Sequence, residues 1–499
     1  MDILTLIGAY VEGLLDAEDR FIEHLDTFPE LEKTVVELTN RMAAEFLSIV
    51  LTTADSLICD SGVRKKEYTV QRKRTRTLIS SVGDITFTHT LFKDKEGRTK
   101  CLLDDQIRLP DRERFTTLAE AKVLSEAEVH SYQHAADSIQ TGTQTITKTT
   151  VMNKIHAIEK ELPEIDAVPD TEEKKQVEYL YIEADEDHIH KQKDGETEGC
   201  FIGKLIYLFE GKEDVCKGRR KLIAPFYFGG LYSGSKRNAE LWKQVEKYIQ
   251  NHYDQEYLKR VYICSDGGSW IKTAVNHVYK SKLVADRFHL MKYIYRVANY
   301  TLDERDMTVG SFYKYIYKNR QTEVKKLLTR IETHCEKSGS AVEECRKYML
   351  NNWGAIQAAF HDEHALGCSA EGHVSCVYSE RMSSRPMGWS ETGSDRMCKL
   401  RCYVRNYGRE KIVDLVRYRR EQECLRQKAV GCEELIDQPA KIQYSAEQRR
   451  NRAYIERLQA TLQIGSTIRK TLAIREQLLE LPCGRHGDGK VAFSLPTLS

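Results

Sequence analysis

The order of apolar runs between residues 175 and 300 constrains this chain more than any other feature. VEYLYIEAD, FIGKLIYLFEG and KLIAPFYFGG read as three strands, and AELWKQVEKYIQNHY reads as a helix. The strand RVYICSD, the helical WIKTAVNHVY, the strand KLVAD and the helical FHLMKYIYRVAN then follow. This β-β-β-α-β-α-β-α succession predicts an α/β (mixed α+β) domain of ribonuclease-H-like topology, a mixed sheet flanked by helices. In that order the first and fourth strands lie side by side, so carboxylates at their ends become neighbours.

Those ends are Asp185 and Asp266. Asp185 closes a run that is largely apolar on both faces, as a buried central strand is, and a carboxylate there needs a partner to offset its desolvation. Asp187 lies two residues on and competes for the same role. Asp266 is followed by Gly267 and Gly268, which let a backbone or substrate approach closely. A third carboxylate from a helix would complete a site for two divalent cations, which stabilise the attacking and leaving oxygens of a phosphoryl transfer. Glu371 in CSAEGHVSCVYSERMSSRPMGW is the candidate, with Glu363, Glu380 and Glu391 competing, and Arg381 and Arg385 follow in position to hold phosphates. Each acidic residue also has a plain reading, as a cap or a first-turn charge complementing a helix dipole. Asp286-Arg287-Phe288-His289 repeats the strand-then-polar pattern; His289 either organises a carboxylate or contacts DNA, or is a structural histidine. Hard oxygen ligands favour Mg2+, with Mn2+ able to substitute. His361, His364, Cys368, His373 and Cys376 cluster but match no standard zinc spacing. Neither G-x-x-x-x-G-K-[ST] nor a convincing G-x-G-x-x-G occurs, which disfavours a nucleotide cofactor.

At 499 residues the chain exceeds one ordinary core. Its 76 basic and 75 acidic residues balance, so nucleic-acid binding has to rest on local clusters. Residues 1–62 read as helical; the first is an amphipathic helix rather than a signal peptide, and no window reads as a membrane-spanning run. Residues 63–110 read as a β-hairpin turning at Gly83-Asp84, whose Arg72, Lys73, Arg74 and Arg76 either meet phosphates or coat a solvated face. Residues 111–170 hold a helix-turn-helix-like pattern broken at TGTQ, with Lys148, Thr149, Asn153 and Lys154 outward, and end in a linker around Pro163 and Pro169. The ribonuclease-H-like domain takes 175–412, interrupted by an all-helical insertion at about 300–362. Residues 413–499 form a basic helical region, in which Arg417, Tyr418, Arg419 and Arg420 either follow a DNA backbone or face solvent. Fourteen scattered cysteines with no C-x-x-C suggest reduced thiols and a cytoplasmic setting.

YIEADEDH, SDGGSWIK, ADRFHLMKYI and AEGHVS...ERMSSRPMGWS together resemble the ISLre-two family of bacterial insertion-sequence transposases over nearly the whole chain, RMSSRPMGW being the most specific part. The resemblance implies a DDE transposase with the triad Asp185, Asp266 and Glu371 and the accessory pair Asp286 and His289. It also implies DNA partners (terminal inverted repeats and a target duplex), a homo-oligomer on DNA and no membrane. Related enzymes often have Asp-Gly after the first strand where this chain has Asp185-Glu186-Asp187. The alternatives are a transposase-derived DNA-binding regulator that no longer cuts, or a nuclease of the same fold.

Overall fold

The computed structural model describes residues 3–139, 143–159, 162–163, 174–192, 199–216, 219–335, 338–384 and 387–427. They form a mixed α/β structure in two units. One comprises residues up to Val123, Gln133–Lys148 and the described residues from Val416 on; the other comprises Leu124–Tyr132 and Thr149–Leu415.

In the first unit, α1 (Ile3–Glu23) and α2 (Phe28–Asp60) pack together, Leu38 lying over Gly13. Contrary to the sequence reading, α2 is long and apolar enough to cross a membrane by length and composition, with a window of mean hydropathy 1.5. It is nonetheless tied to protein: buried Asp55 accepts from the Thr90 backbone N–H at 2.8 Å and the Thr90 hydroxyl at 2.6 Å. After α3 (Gly62–Glu67), β1 (Thr69–Ser80) and β2 (Gly83–Lys93) pair antiparallel, and β3 (Thr99–Lys100) adds to β2. The turn is Ser81-Val82, two residues ahead of the expected position, and Gly83 opens β2 at φ 133°, a conformation only glycine takes easily. Ile58, Leu78, Ile85, Phe87, Phe92 and, from α4 (Leu102–Gln106), Leu102 and Leu103 form the core.

Three helices follow, α5 (Thr117–Val129), α6 (Tyr132–Asp137) and α7 (Lys148–His156). The second unit then opens with β4 (Tyr179–His190) and β5 (Cys200–Phe209). The hairpin β6 (Gly211–Cys216) and β7 (Arg219–Ile223) follows, then β8 (Phe226–Leu231), α8 (Gly234–His252), β9 (Arg260–Ser265), α9 (Ser269–Lys272), β10 (Ser281–Ala285) and α10 (Arg287–Ala298). Five strands form one sheet in the order β10-β9-β4-β5-β8; β4, β9 and β10 run parallel, and β5 is antiparallel to both its neighbours. Alternation along β4 decides its faces. Leu180, Ile182 and Ala184 join Ile206, Leu208, Val261 and Ile263 beneath Leu241, Trp242, Val245 and Ile249 of α8. Tyr179, Tyr181, Glu183, Asp185 and Asp187 take the other face.

Helices α11 (Arg305–Tyr317), α12 (Gln321–His334), α13 (Gly339–Asn351) and α14 (Trp353–His361) share a core with α10 built on Leu290, Ile294, Phe312, Leu328, Val342 and Met349. The chain then returns to the sheet through α15 (Ala370–Val374), a π-helical turn at Ser375–Ser379 and α16 (Glu380–Met382). The last described elements are α17 (Glu391–Tyr407), against β8, and α18 (Ile412–Arg426). The linker core 164–173, the TGTQ start, Arg385 and the basic helices beyond 427 lie outside the described residues.

Candidate active site

Strand register brings the aspartates together. Glu183 pairs with Cys264 across β4 and β9, and Ala285 pairs with Ser265 across β10 and β9. Continued past those pairs, the same register sets Asp185 across from Asp266 and Asp286 across from Asp266; Asp266 and Asp286 directly follow β9 and β10, whereas Asp185 does not end its strand as the sequence suggested but lies inside β4, which runs on to His190 paired with β5, just beyond the point where its pairing with β9 stops. Each is held differently. The Gly268 N–H donates to Asp266 Oδ1 at 2.8 Å, in a tight turn where Gly267 has φ 103°. Asp286 caps α10, accepting from the Phe288 N–H at 2.9 Å, and its other oxygen meets His289 Nδ1 at 2.8 Å. Among the described residues Asp185 accepts only from the adjacent Glu186 N–H, at 2.8 Å.

The electrostatics follow from that difference. Burial pushes the Asp185 carboxyl up to about 6, with the Asp266 charge adding to the rise and the Glu186 N–H and His289 opposing it. His289 is raised above the usual imidazole value, first by its hydrogen bond to Asp286 and further by the charges of Asp286, Asp266 and Asp185. With Nδ1 committed to Asp286, Nε2 is the nitrogen left to meet a substrate or proton. Asp187 is distinguished from Asp185 by a hydroxyl partner, since Ser383 of RMSSRPMGW donates to it at 2.8 Å.

Glu371 lies exposed in the first turn of α15, which packs against β4. A buried clamp fixes that turn. Glu183 Oε2 accepts from the Ser369 N–H at 2.6 Å and the Ser369 hydroxyl at 3.0 Å, and also from the Tyr207 hydroxyl. Lys212 Nζ bonds Glu183 Oε1 at 2.9 Å, Ser369 Oγ at 3.2 Å and the Gly367 carbonyl. Further along, the Tyr378 hydroxyl donates to the Lys204 carbonyl of β5 at 3.0 Å through the space left by Gly229, where an added Cβ would collide with the Tyr378 hydroxyl. The π-turn inside this helix is a feature that recurs at functional sites. Sequence reasoning missed Glu183, Lys212 and Ser369; the signal for Glu183 was a carboxylate inside an otherwise apolar run.

Asp185, Asp266 and Glu371 are not among the described groups of three ligands whose donor atoms lie within 4.8 Å of one another. Three carboxylates without a counter-charge repel, so their separation is the electrostatic expectation. The donors nonetheless suit a hard cation: all are carboxylate oxygens, and Asp185 is a desolvated carboxylate with one backbone donor. Of the competing acids, Glu363 sits 3.5 Å from His364, Glu380 is exposed in α16, and Glu391 is exposed in the first turn of α17. The histidines and cysteines of the tempting zinc pattern are dispersed. His361 lies by Tyr317, His364 stacks on Tyr179, His373 meets the Tyr227 hydroxyl at 3.0 Å, Cys368 adjoins Glu183 and Cys376 is exposed. In the first unit His89, Cys101 and Asp104 do group, with Arg76 already on the Asp104 carboxylate.

Several residues expected to meet DNA are committed internally. Arg76 pairs with Asp104 and bonds the carbonyls of Pro110 and Glu113, because the hairpin core draws its stem inward. Buried Arg381 donates to the Ala127 carbonyl at 3.1 Å and stacks over Trp389 and Tyr132. Arg419 and Arg420 both hold Glu120, which is fully buried. Arg72, Lys73, Arg74, Lys148 and Asn153 are exposed, and Lys154 is half-buried.

A family model described as "Uncharacterised protein family (UPF0236)" matches residues 23–419. A UPF0236 protein of Caldanaerobacter subterraneus subsp. tengcongensis is 34% identical over 76% of this chain and 78% of its own length; its name joins eleven designations. A UPF0236 protein in the vanSb 3' region of Streptococcus gallolyticus is 25% identical over 76% of this chain and 83% of its own. Among solved structures, the Drosophila P element transposase strand transfer complex aligns over 72% of this chain and 90% of that one, at 9% identity and a TM-score of 0.21.

Proposed function

The chain belongs to the UPF0236 family, and from that premise we propose that it is a DDE transposase of an insertion sequence, of the ISLre-two type. Its activity would be metal-dependent cleavage of DNA strands at the element ends and their transfer into target DNA. The observation that carries the reading is the register that sets Asp185, desolvated and with its carboxyl pushed up to about 6, across from Asp266 where the pairing of the parallel strands β4 and β9 stops. The strand order β10-β9-β4-β5-β8, with β5 alone reversed between β4 and β8, supports a ribonuclease-H-like core. A relative whose name joins eleven designations in one organism fits a sequence that copies itself around a genome.

Asp185, Asp266 and Glu371 would hold Mg2+, or Mn2+ in its place, and the cation would supply charge stabilisation to the phosphodiester and acidity to the attacking water or 3′-hydroxyl. The protein's own part is positional. The Glu183–Lys212–Ser369 clamp fixes the turn that carries Glu371 on β4, two residues before Asp185. Asp286 orients His289 so that Nε2 is directed by a fixed ring, and the pair raises the imidazole above its ordinary value, which favours a proton there for contact with a phosphate. Arg72, Lys73, Arg74, Lys148, Asn153 and Lys154 are the candidates for contact with the inverted repeats, and paired copies would bring two element ends together.

The test is Mg2+-dependent cleavage and joining of a labelled duplex carrying the inverted repeats that flank the gene, comparing wild type with Asp266→Asn. Loss of both products with retained DNA binding is the expected result. Binding without products in either cation would favour the regulator, cleavage without joining the nuclease, and full activity of the variant would refute the site.

A further inference from the structure

The first unit holds a cluster of ligating side chains that the catalytic reading leaves unused. His89 stands near the end of β2. Cys101 directly follows β3 and opens α4, so Asp104, three residues on, lies on the same side of that first helical turn. β3 pairs with Phe92 and Lys93, which returns the chain to the strand that carries His89 before α4 begins. The donor atoms of the three residues lie within 4.8 Å of one another; His89 and Asp104 are buried and Cys101 is half-buried. His89 Nδ1 stands 3.3 Å from Asp104 Oδ1 and 3.2 Å from Oδ2. An N–O edge of a tetrahedron with zinc bonds of about 2.0 Å measures about 3.3 Å, so these two donors already stand a tetrahedral edge apart, and the sulfur has roughly 1 Å to close. Cys101 is not engaged as a helix cap, since α4 begins without a hydrogen bond from its side chain. Arg76 leaves the cluster open: its guanidinium holds Asp104 Oδ2 and the carbonyls of Pro110 and Glu113, while Oδ1 meets only the His89 ring among the described residues. An outer partner of this kind orients a carboxylate for a metal on its other oxygen.

We propose that His89, Cys101 and Asp104 bind one Zn2+ ion, which ties the hairpin to the start of α4. The donor set decides the metal. An imidazole nitrogen, a thiolate sulfur and a carboxylate oxygen suit borderline-soft Zn2+, whereas Mg2+ takes oxygen ligands. Cys101 binds as the thiolate, its proton passing to solvent, and thiolate and carboxylate together neutralise the ion. Three protein ligands leave the fourth tetrahedral position to water. All three residues line a groove of about 1030 Å³ shared with Arg72, Arg74 and Arg112, which gives the ion its entry path and the water its place. The cluster shares no residue with Asp185, Asp266 and Glu371, so the proposal stands or falls apart from the catalytic reading.

The test is a Co2+ titration of the full-length chain, stripped of metal by a chelator and held in excess Mg2+ so that carboxylate-only sites are occupied. A thiolate on tetrahedral Co2+ gives an ultraviolet charge-transfer band and strong visible bands. The expected result is one equivalent of Co2+ with those bands, displaced by Zn2+. Cys101→Ser weakens Zn2+ binding about a hundredfold, and Cys376→Ser, at an exposed cysteine outside the cluster, leaves it unchanged. Should Cys101→Ser misfold, the wild type supplies the second measurement: Zn2+ shields Cys101 from alkylation by iodoacetamide, read by peptide mass, and Mg2+ does not. A chain that gives no thiolate band with Co2+ overturns the proposal. So does a band that survives Cys101→Ser, or alkylation of Cys101 at the same rate with and without Zn2+.

Discussion

Asp185→Asn should make the protein more stable while removing its response to divalent cations. The folded carboxyl sits at about 6 against an ordinary 3.8, a difference of about 2 units, or about 3 kcal/mol at 1.36 kcal/mol per unit. Partial exposure and solvent screening reduce this to about 1–2 kcal/mol. The sign follows from linkage: a carboxyl raised by folding favours the protonated native state, so its contribution is intact below pH 3.8 and is lost as pH rises through 6. At pH 8 wild type therefore carries an ionised, poorly solvated Asp185 that the amide does not. Urea denaturation from pH 4 to 8 without divalent cation should show wild type losing about 1–2 kcal/mol relative to Asp185→Asn, the curves converging near pH 4. Added Mg2+ or Mn2+ should raise the wild-type midpoint at pH 8 and leave the variant unmoved. A variant less stable than wild type at pH 8, or one that responds equally to the cation, would show that Asp185 is a satisfied structural carboxylate.

Lys212→Met leaves Glu183 buried without its cation and should cost about 3–5 kcal/mol at pH 8, with a smaller loss in the double variant that adds Glu183→Gln; equal losses in a denaturation series would refute the clamp. Gly229→Ala places a methyl against the Tyr378 hydroxyl, Cys402 and the Lys204 carbonyl, and should destabilise by about 1–3 kcal/mol, while Gly310→Ala, which meets nothing, should not, as thermal unfolding will read. Asp286→Asn should lower the His289 pKa toward 6.5 in an NMR titration; the stabilisation that His289 gains from this pair is complete below 6.5 and fades as pH rises through the raised folded value, so the variant should lose stability chiefly at acid pH.

Where one periodicity met one environment, the sequence was enough. VEYLYIEAD and VYICSD are apolar on both faces because their strands are covered on both, and that continuous texture located β4 and β9, although β4 runs on past Asp185 to His190 because its polar second half still pairs with β5. The arginines could not be read the same way, because a guanidinium is equally at home on a phosphate or on a buried acid, and the choice lies with partners distant in sequence. Arg76 meets Asp104, Arg381 meets the Ala127 carbonyl and Trp389, and Arg420 meets Glu120 across 300 residues. The same distance hid the clamp, since Glu183 finds Ser369 186 positions away. α2 shows a third limit. Its apolar residues serve α1 and the hairpin, while among the described residues Val36, Leu47, Val50 and Leu57 stay exposed, a division that apolar spacing along one helix does not show.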